Sequence, residues 1–129
     1  MPHLTLEYTD NLETQINIEQ LMHEMHAVLL SEKDIFPSGG IRIKAYPLHR
    51  YLVADGRTGG AFIHLTLKIG PGRHEAVKKR IGDRLFKVLE EATKVLYEHI
   101  PLALSLEVTE FAPPGTWKKN NMHSRASQS

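Results

Sequence analysis

Cysteine is absent from the 129-residue sequence, so disulfide bonds and thiol catalysis are both excluded. Such a composition is typical of proteins that work in a reducing compartment, and we expect a cytoplasmic location. No run of about 18 apolar residues is present, so the sequence predicts no membrane span. The first residues lack a basic flank followed by a long apolar stretch, and they therefore do not match a secretory signal peptide.

An excess of charge of one sign is also missing, because 16 Lys and Arg residues balance 15 Asp and Glu residues. This balance does not favour nucleic acid as a partner. The densest basic run, at residues 78–80, lies in a helical pattern beside acidic residues and is typical of a solvated helix face. The histidines show no zinc-binding spacing, so we expect no metal site. The sequence also contains no phosphate loop, dinucleotide fingerprint or Ser-His-Asp signature.

A short repeat is the most informative feature that the sequence does contain. The four residues HLTL occur at residues 3–6 and again at residues 64–67. Both copies alternate apolar and polar side chains, which is the period of a half-buried strand. Each copy is followed by a turn and then by a helical pattern, so the repeat indicates an internal duplication.

The first half of the chain predicts a strand, a helix and a second strand. The first strand covers residues 2–9. Asn17 is a good helix cap, and Gln20 three residues later completes a capping box. The second strand begins near Ile41, and Pro47 either limits it or places it at a sheet edge.

The second half predicts the same order of elements. Residues 61–69 alternate as a strand, and residues 70–72 break it. One long helix follows, with apolar residues from Val77 to Leu96 on a single stripe, and Pro101 ends it. A last alternating strand begins after Pro101.

These elements predict a single domain over residues 1–129. The first β-α-β unit covers residues 2–53 and the second covers residues 61–111, with a tail over residues 112–129 whose end, residues 124–129, is expected to be disordered. Right-handed crossovers make the strands within each unit parallel. The predicted fold class is therefore α+β, a two-layer α/β arrangement of a four-stranded mixed sheet with two helices on one face. The other sheet face is left uncovered, which indicates an oligomer.

Pro2 is the first candidate for chemistry. Proline directly after the initiator methionine usually allows that methionine to be cleaved, which exposes a secondary amine at the start of the first strand. Burial and nearby cations lower the pKa of an amine, because both disfavour its charged form, and such an amine can act as a general base near pH 7. Many chains begin with Met-Pro, so this position alone does not indicate catalysis.

Arg42 and Arg73 are the next candidates, because each follows a glycine-containing turn, at residues 39–41 and 70–72. Arginine binds carboxylates through two parallel hydrogen bonds. Arg73 also lies beside a predicted helix N-terminus, where backbone N–H groups favour anions. Either residue alone is typical of a surface arginine. Two arginines near one amine would both lower its pKa and hold an anionic substrate.

Several short motifs, taken in order, resemble the 5-carboxymethyl-2-hydroxymuconate isomerase family, a branch of the tautomerase superfamily. They are MPH at 1–3, DN at 10–11, FP at 36–37, GIR at 40–42, ADG at 54–56, FIHLTLKIG at 62–70, GR at 72–73, LALSLE at 102–107 and NNMH at 120–123. Each motif is weak alone, but the ordered set covers nearly the whole chain and is specific.

The resemblance implies a homotrimer of duplicated β-α-β units that needs no cofactor. It implies that Pro2 is the catalytic base and that Arg42 and Arg73 bind substrate carboxylates. Lys44 is a further candidate for substrate binding, at a position where the family is expected to favour arginine. If Met1 is retained, the Pro2 nitrogen is an amide and cannot act as a base.

The implied reaction moves a proton between carbons of a conjugated enol polycarboxylate in the breakdown of homoprotocatechuate, an aromatic compound. Two alternatives stay open at this stage. One is a tautomerase of a simpler keto-enol acid, to which the presence of several basic groups is less suited. The other is a non-catalytic trimeric binding protein on the same scaffold, since fold alone does not fix function.

Overall fold

The computed structural model describes residues 1–57 and 59–123. The strands are β1 (His3–Thr9), β2 (Arg42–Leu48), β3 (Ala61–Ile69) and β4 (Leu102–Glu110). The α-helices are α1 (Ile18–Ser31), α2 (Glu75–Ala92) and the short α3 (Lys94–Tyr97). Short 3-10 turns occur at Asp10–Leu12, Ser38–Gly40 and Pro113–Gly115.

The four strands form one mixed sheet in the order β2-β1-β3-β4. Strand β1 is parallel to β2, and β3 is parallel to β4, as expected for two β-α-β units. The two units meet through β1 and β3, which pair in antiparallel fashion. The predicted fold class is therefore confirmed.

The two copies of the HLTL repeat lie side by side at the centre of the sheet. Thr5 of the first copy pairs with Thr66 of the second, and Leu6 pairs with Leu65. Thr5 and Thr66 hold the same position in the two copies, so the two units meet symmetrically about this pair.

The core lies between the sheet and the two long helices. Every second residue of β1 and β3 faces this layer and is buried, while α1 and α2 contribute their apolar stripes. The buried residues of these four elements include Leu4, Leu6, Tyr8, Ile63, Leu65, Leu67, Leu21, Met25, Leu29, Ile81, Leu85 and Leu89. Burial of this alternating set fixes the strand register, because a slip by one residue would expose the whole row.

The opposite sheet face carries polar side chains that no helix of the described chain covers. On the central strands these include His3, Thr5, His64 and Thr66, which are only partly buried. This is the uncovered face that the sequence predicts.

Two local predictions need correction. Asn17 does cap α1, since its Oδ1 accepts from the backbone N–H of Gln20 at 3.0 Å. The Gln20 side chain, however, donates to Glu24 at 3.2 Å instead of returning to the cap, so the predicted capping box is only half formed. A partner one turn along the helix competes with the cap for the Gln20 amide.

The predicted single long helix is also wrong, because it breaks at Thr93 into α2 and α3. The Thr93 hydroxyl is buried and donates to the carbonyl of Leu89 at 2.8 Å. A hydroxyl that bonds to a carbonyl of the preceding turn competes with the helical ladder and bends the helix. In the second strand, Pro47 is tolerated because β2 lies at the sheet edge.

Candidate active site

Sheet topology brings four parts of the chain to the same end of the strands. Strands β1 and β2 are parallel and both begin at this end of the sheet. Strands β3 and β4 run the other way and both end there. The N-terminus, the turn before β2, the turn before α2 and the C-terminal tail are therefore neighbours.

Pro2 lies at the start of β1 and is buried. Its carbonyl accepts a hydrogen bond from the backbone N–H of Arg42 at 3.0 Å, which ties the N-terminus to the start of β2. Met1 precedes it, and the ideal Cβ position on Gly40 lies only 3.3 Å from the Met1 Cα. A glycine at position 40 thus gives the N-terminus room to lie against the turn.

The Arg42 and Arg73 side chains are half-buried and held by backbone carbonyls. Arg42 Nη1 donates to the carbonyls of Gly39 at 2.9 Å and Ile41 at 3.0 Å. Arg73 Nη2 donates to the carbonyl of Ile35 at 2.8 Å. A guanidinium group has five N–H donors, so each arginine keeps further donors for an anion.

The α-amino group lies among cations, and its pKa falls below the ordinary value of 8.0. Burial has the largest effect, because it disfavours the charged amine. The positive charges of Lys118, Arg73 and Arg42 then lower the pKa further, in that order. In the chain as described this amine belongs to Met1, and removal of Met1 would transfer it to Pro2.

Lys44 lies apart from this group. Its side chain is exposed on β2, with Nζ 5.9 Å from the centre of the Tyr46 ring. It is not among the cations that lower the pKa of the amine, although it helps to lower the pKa of His3 after burial, the main cause. Its role in substrate binding stays a prediction.

Lys118 was missed by the sequence reasoning, although it has the largest effect of the three cations on the amine. It lies in the tail, which packs back over the turn before β2. Asn120 Nδ2 donates to the Gly39 carbonyl at 2.7 Å, and an alanine Cβ at Gly39 would lie only 2.7 Å from the backbone nitrogen of His123. The NNMH motif was the one sequence signal that pointed to this region.

Neither a metal centre nor a membrane span is visible in residues 1–57 and 59–123. No cluster of three or more His, Asp or Glu side chains in this part of the chain could hold a metal ion. None of the helices formed by these residues is both long enough and apolar enough to cross a bilayer.

Comparison with known proteins decides the family. Residues 2–126 match the 5-carboxymethyl-2-hydroxymuconate isomerase family. The chain belongs to this family. It is an isomerase, and its fold is that of the tautomerases, as the sequence resemblance predicts.

Individual relatives agree with this assignment over nearly their whole length. The chain is 34% identical to the 5-carboxymethyl-2-hydroxymuconate Delta-isomerase of Escherichia coli, over 95% of this chain and 97% of that protein. The crystal structure of a 5-carboxymethyl-2-hydroxymuconate isomerase from Deinococcus radiodurans R1 is 51% identical, with a TM-score of 0.92 over 97% of this chain and 93% of that one. A fused 4-OT described as a symmetric trimer shares the fold alone, at 15% identity and a TM-score of 0.58 over 91% and 93% of the two chains.

Replacement of Gly39 by alanine is expected to loosen the tail. The new Cβ would lie 2.7 Å from the His123 backbone nitrogen, closer than real Cβ contacts allow, so the tail or the turn must move. Residues 116–123 should then exchange their amide hydrogens faster, as measured by mass spectrometry. Gly115→Ala is the control in the same tail, because its nearest new contact is an ordinary 3.6 Å. Unchanged exchange in Gly39→Ala would contradict this packing.

Proposed function

We propose that this isomerase acts on 5-carboxymethyl-2-hydroxymuconate in the breakdown of aromatic compounds, with Pro2 as its base after removal of Met1. The observation that carries the proposal is the place of Pro2, which is buried at the start of β1 and bonded through its carbonyl to the backbone of Arg42. The amine at this N-terminus, which belongs to Met1 in the described chain, already has a pKa lowered by burial and by the charges of Lys118, Arg73 and Arg42. The names of the E. coli and D. radiodurans relatives support this choice of substrate.

The amine would take a proton from one end of the conjugated enol and return it to the other end, through a dienolate. No net proton is gained or lost, so one group can serve first as base and then as acid. The first step requires the unprotonated amine, and a lowered pKa increases the unprotonated fraction at neutral pH. The Pro2 nitrogen lies at the start of β1, where the hydrogen bond from Arg42 to the Pro2 carbonyl holds the residue in place. The proline ring limits its motion further, because it restricts the backbone.

Arg42 and Arg73 would bind carboxylates of the substrate and stabilise negative charge on the dienolate. Both are anchored on backbone carbonyls near the amine, so their positions are set before the substrate arrives. Lys44 is a further candidate for carboxylate binding. In the single subunit its side chain is exposed on the open face of the sheet. A simpler keto-enol acid with one carboxylate would use fewer of these cations.

We infer that the working form is a homotrimer in the cytoplasm, with active sites near the subunit boundaries. The polar sheet face and the two free sheet edges of β2 and β4 support this inference. The trimer described for the fused 4-OT of the same fold adds support. In the single chain the site is open to solvent at the end of the strands, and a neighbouring subunit would enclose it.

Replacement of Pro2 tests the identity of the base. Pro2→Ala should fold normally and lose part of its isomerase rate, about 10- to 1,000-fold, because alanine still presents an α-amino group. The rate is measured by ultraviolet absorbance on 5-carboxymethyl-2-hydroxymuconate, with protein shown by mass spectrometry to lack Met1.

A second variant separates basicity from packing. Extra residues before Pro2 convert its nitrogen to an amide, so this protein should be less active than Pro2→Ala. Full activity of the extended protein would assign the base to another group. Ligand binding without turnover by the methionine-free wild type would instead support the non-catalytic alternative, and turnover of only a simple keto-enol acid would support a sister tautomerase.

Replacement of the two arginines tests substrate binding. Arg42→Ala and Arg73→Ala should each lower kcat/KM by about 10-fold or more, because a charge-assisted contact is lost. Arg50→Ala, an exposed arginine beyond the other end of β2, is the control. If both site variants match this control, neither arginine binds the substrate.

Light scattering tests the assembly. At micromolar concentration the protein should have three times the mass of one chain, 14.6 kDa. The mass of a single chain under these conditions would contradict the inferred trimer. The polar sheet face would then be exposed to solvent and not covered by another subunit.

A further inference from the structure

The tail at residues 116–123 is attached to the same turn that positions Arg42. The Gly39 carbonyl accepts from Arg42 Nη1 at 2.9 Å and from Asn120 Nδ2 at 2.7 Å. The Gly39 carbonyl therefore connects a predicted substrate-binding arginine with the tail, although Asn120 lies 81 residues after Gly39 in the sequence.

Two further contacts fix the course of this segment. The Asn120 side chain also accepts from the backbone N–H of Met122 at 2.7 Å, which closes a tight turn in the tail. His123 lies against both glycines of the turn before β2, with its Cε1 3.6 Å from the ideal Cβ position of Gly40. The same position on Gly40 lies 3.3 Å from the Met1 Cα, so the tail and the N-terminus both pack against this glycine.

This course brings Lys118, two residues before Asn120, to the region of the turn that positions Arg42, and the charge of Lys118 lowers the pKa of the terminal amine. Within residues 1–57 and 59–123, no carboxylate lies close enough to form an ion pair with Lys118. The other cations that act on the amine are Arg42 and Arg73. A lysine with no carboxylate partner in this part of the chain keeps its ammonium group available for an anion, and a polycarboxylate substrate would supply one.

We propose that residues 116–123 form a strap that places Lys118 as a third carboxylate-binding cation of the active site. The inference rests on the proposed function, because 5-carboxymethyl-2-hydroxymuconate carries three carboxylates. Arg42 and Arg73 account for two of them, and Lys118 binds the third. The strap thus makes the site select a tricarboxylate over enol acids with fewer carboxylates.

Lys118→Gln is the direct test, and Lys119→Gln is its matched control. Both lysines are exposed and adjacent, but only Lys118 is among the cations that act on the amine. With methionine-free protein, Lys118→Gln should raise KM for 5-carboxymethyl-2-hydroxymuconate by about 10-fold. KM for an enol acid with a single carboxylate should change much less, since that substrate has no carboxylate for Lys118.

A second measurement does not depend on isomerase activity. The pH dependence of acylation of the terminal amine, read by mass spectrometry of the N-terminal peptide, gives the pKa of that amine. His3, Arg42, Arg73 and His123 stay in place in both variants, so the comparison isolates one charge. Loss of Lys118 should raise this pKa, because a neighbouring cation disfavours the protonated amine.

Asn120→Ala tests the strap itself. Loss of its hydrogen bond to Gly39 should release the segment and change KM and the amine pKa in the same directions as Lys118→Gln. The proposal is overturned if either quantity in Lys118→Gln equals that of Lys119→Gln. A wild-type protein without isomerase activity would refute the proposed function instead, and the amine titration alone would then decide where Lys118 lies.

Discussion

The antiparallel pairing of β1 with β3 is the constraint on which the rest of the molecule depends. It joins the two β-α-β units, and it makes the start of one unit's first strand meet the end of the other's. Strand β2 is parallel to β1, and β4 is parallel to β3. The loops that carry candidate residues therefore all lie at the same end of the strands. The buried leucines of the HLTL repeat hold this register, since a slip by one residue would place them on the polar face.

The chemistry of the site follows from the electrostatics at that end of the sheet. An amine in water is protonated at neutral pH, whereas a buried amine surrounded by cations gives up its proton more readily. In the proposed mechanism the same cations attract a substrate with several carboxylates, so that one arrangement would both activate the base and bind the substrate. Arg42 and Arg73 donate hydrogen bonds to backbone carbonyls, and these bonds hold both positive charges in place despite the presence of other cations.

Local sequence patterns were sufficient for the fold and for part of the site. Alternation along β1 and β3 and the cap at Asn17 are properties of neighbouring residues, and they could be predicted from the sequence. The break at Thr93 was not predicted, because the stripe of apolar residues continues past it, whereas the Thr93 backbone leaves the helical conformation and its hydroxyl bonds to the Leu89 carbonyl.

Lys118 could not be found by the same reasoning. It lies in an irregular tail with no strand or helix period, and its place depends on contacts with residues about 80 positions earlier. By contrast, Pro2 directly precedes β1, Arg42 begins β2 and Arg73 lies in the turn between β3 and α2, so the sheet topology brings all three to the same end of the sheet. The family resemblance added their roles, which the residues alone left open.

The pH dependence of kcat/KM for methionine-free protein on 5-carboxymethyl-2-hydroxymuconate tests the central claim most directly, because this quantity reports the pKa of the free enzyme's base. The proposed mechanism requires the unprotonated amine of Pro2, and the amine at this N-terminus has a pKa lowered by burial and three cations in the chain that still carries Met1. The rate constant should therefore rise with pH and level off with an apparent pKa below the usual range for α-amino groups, about 7.7–8.0. An apparent pKa within or above that range would contradict the account.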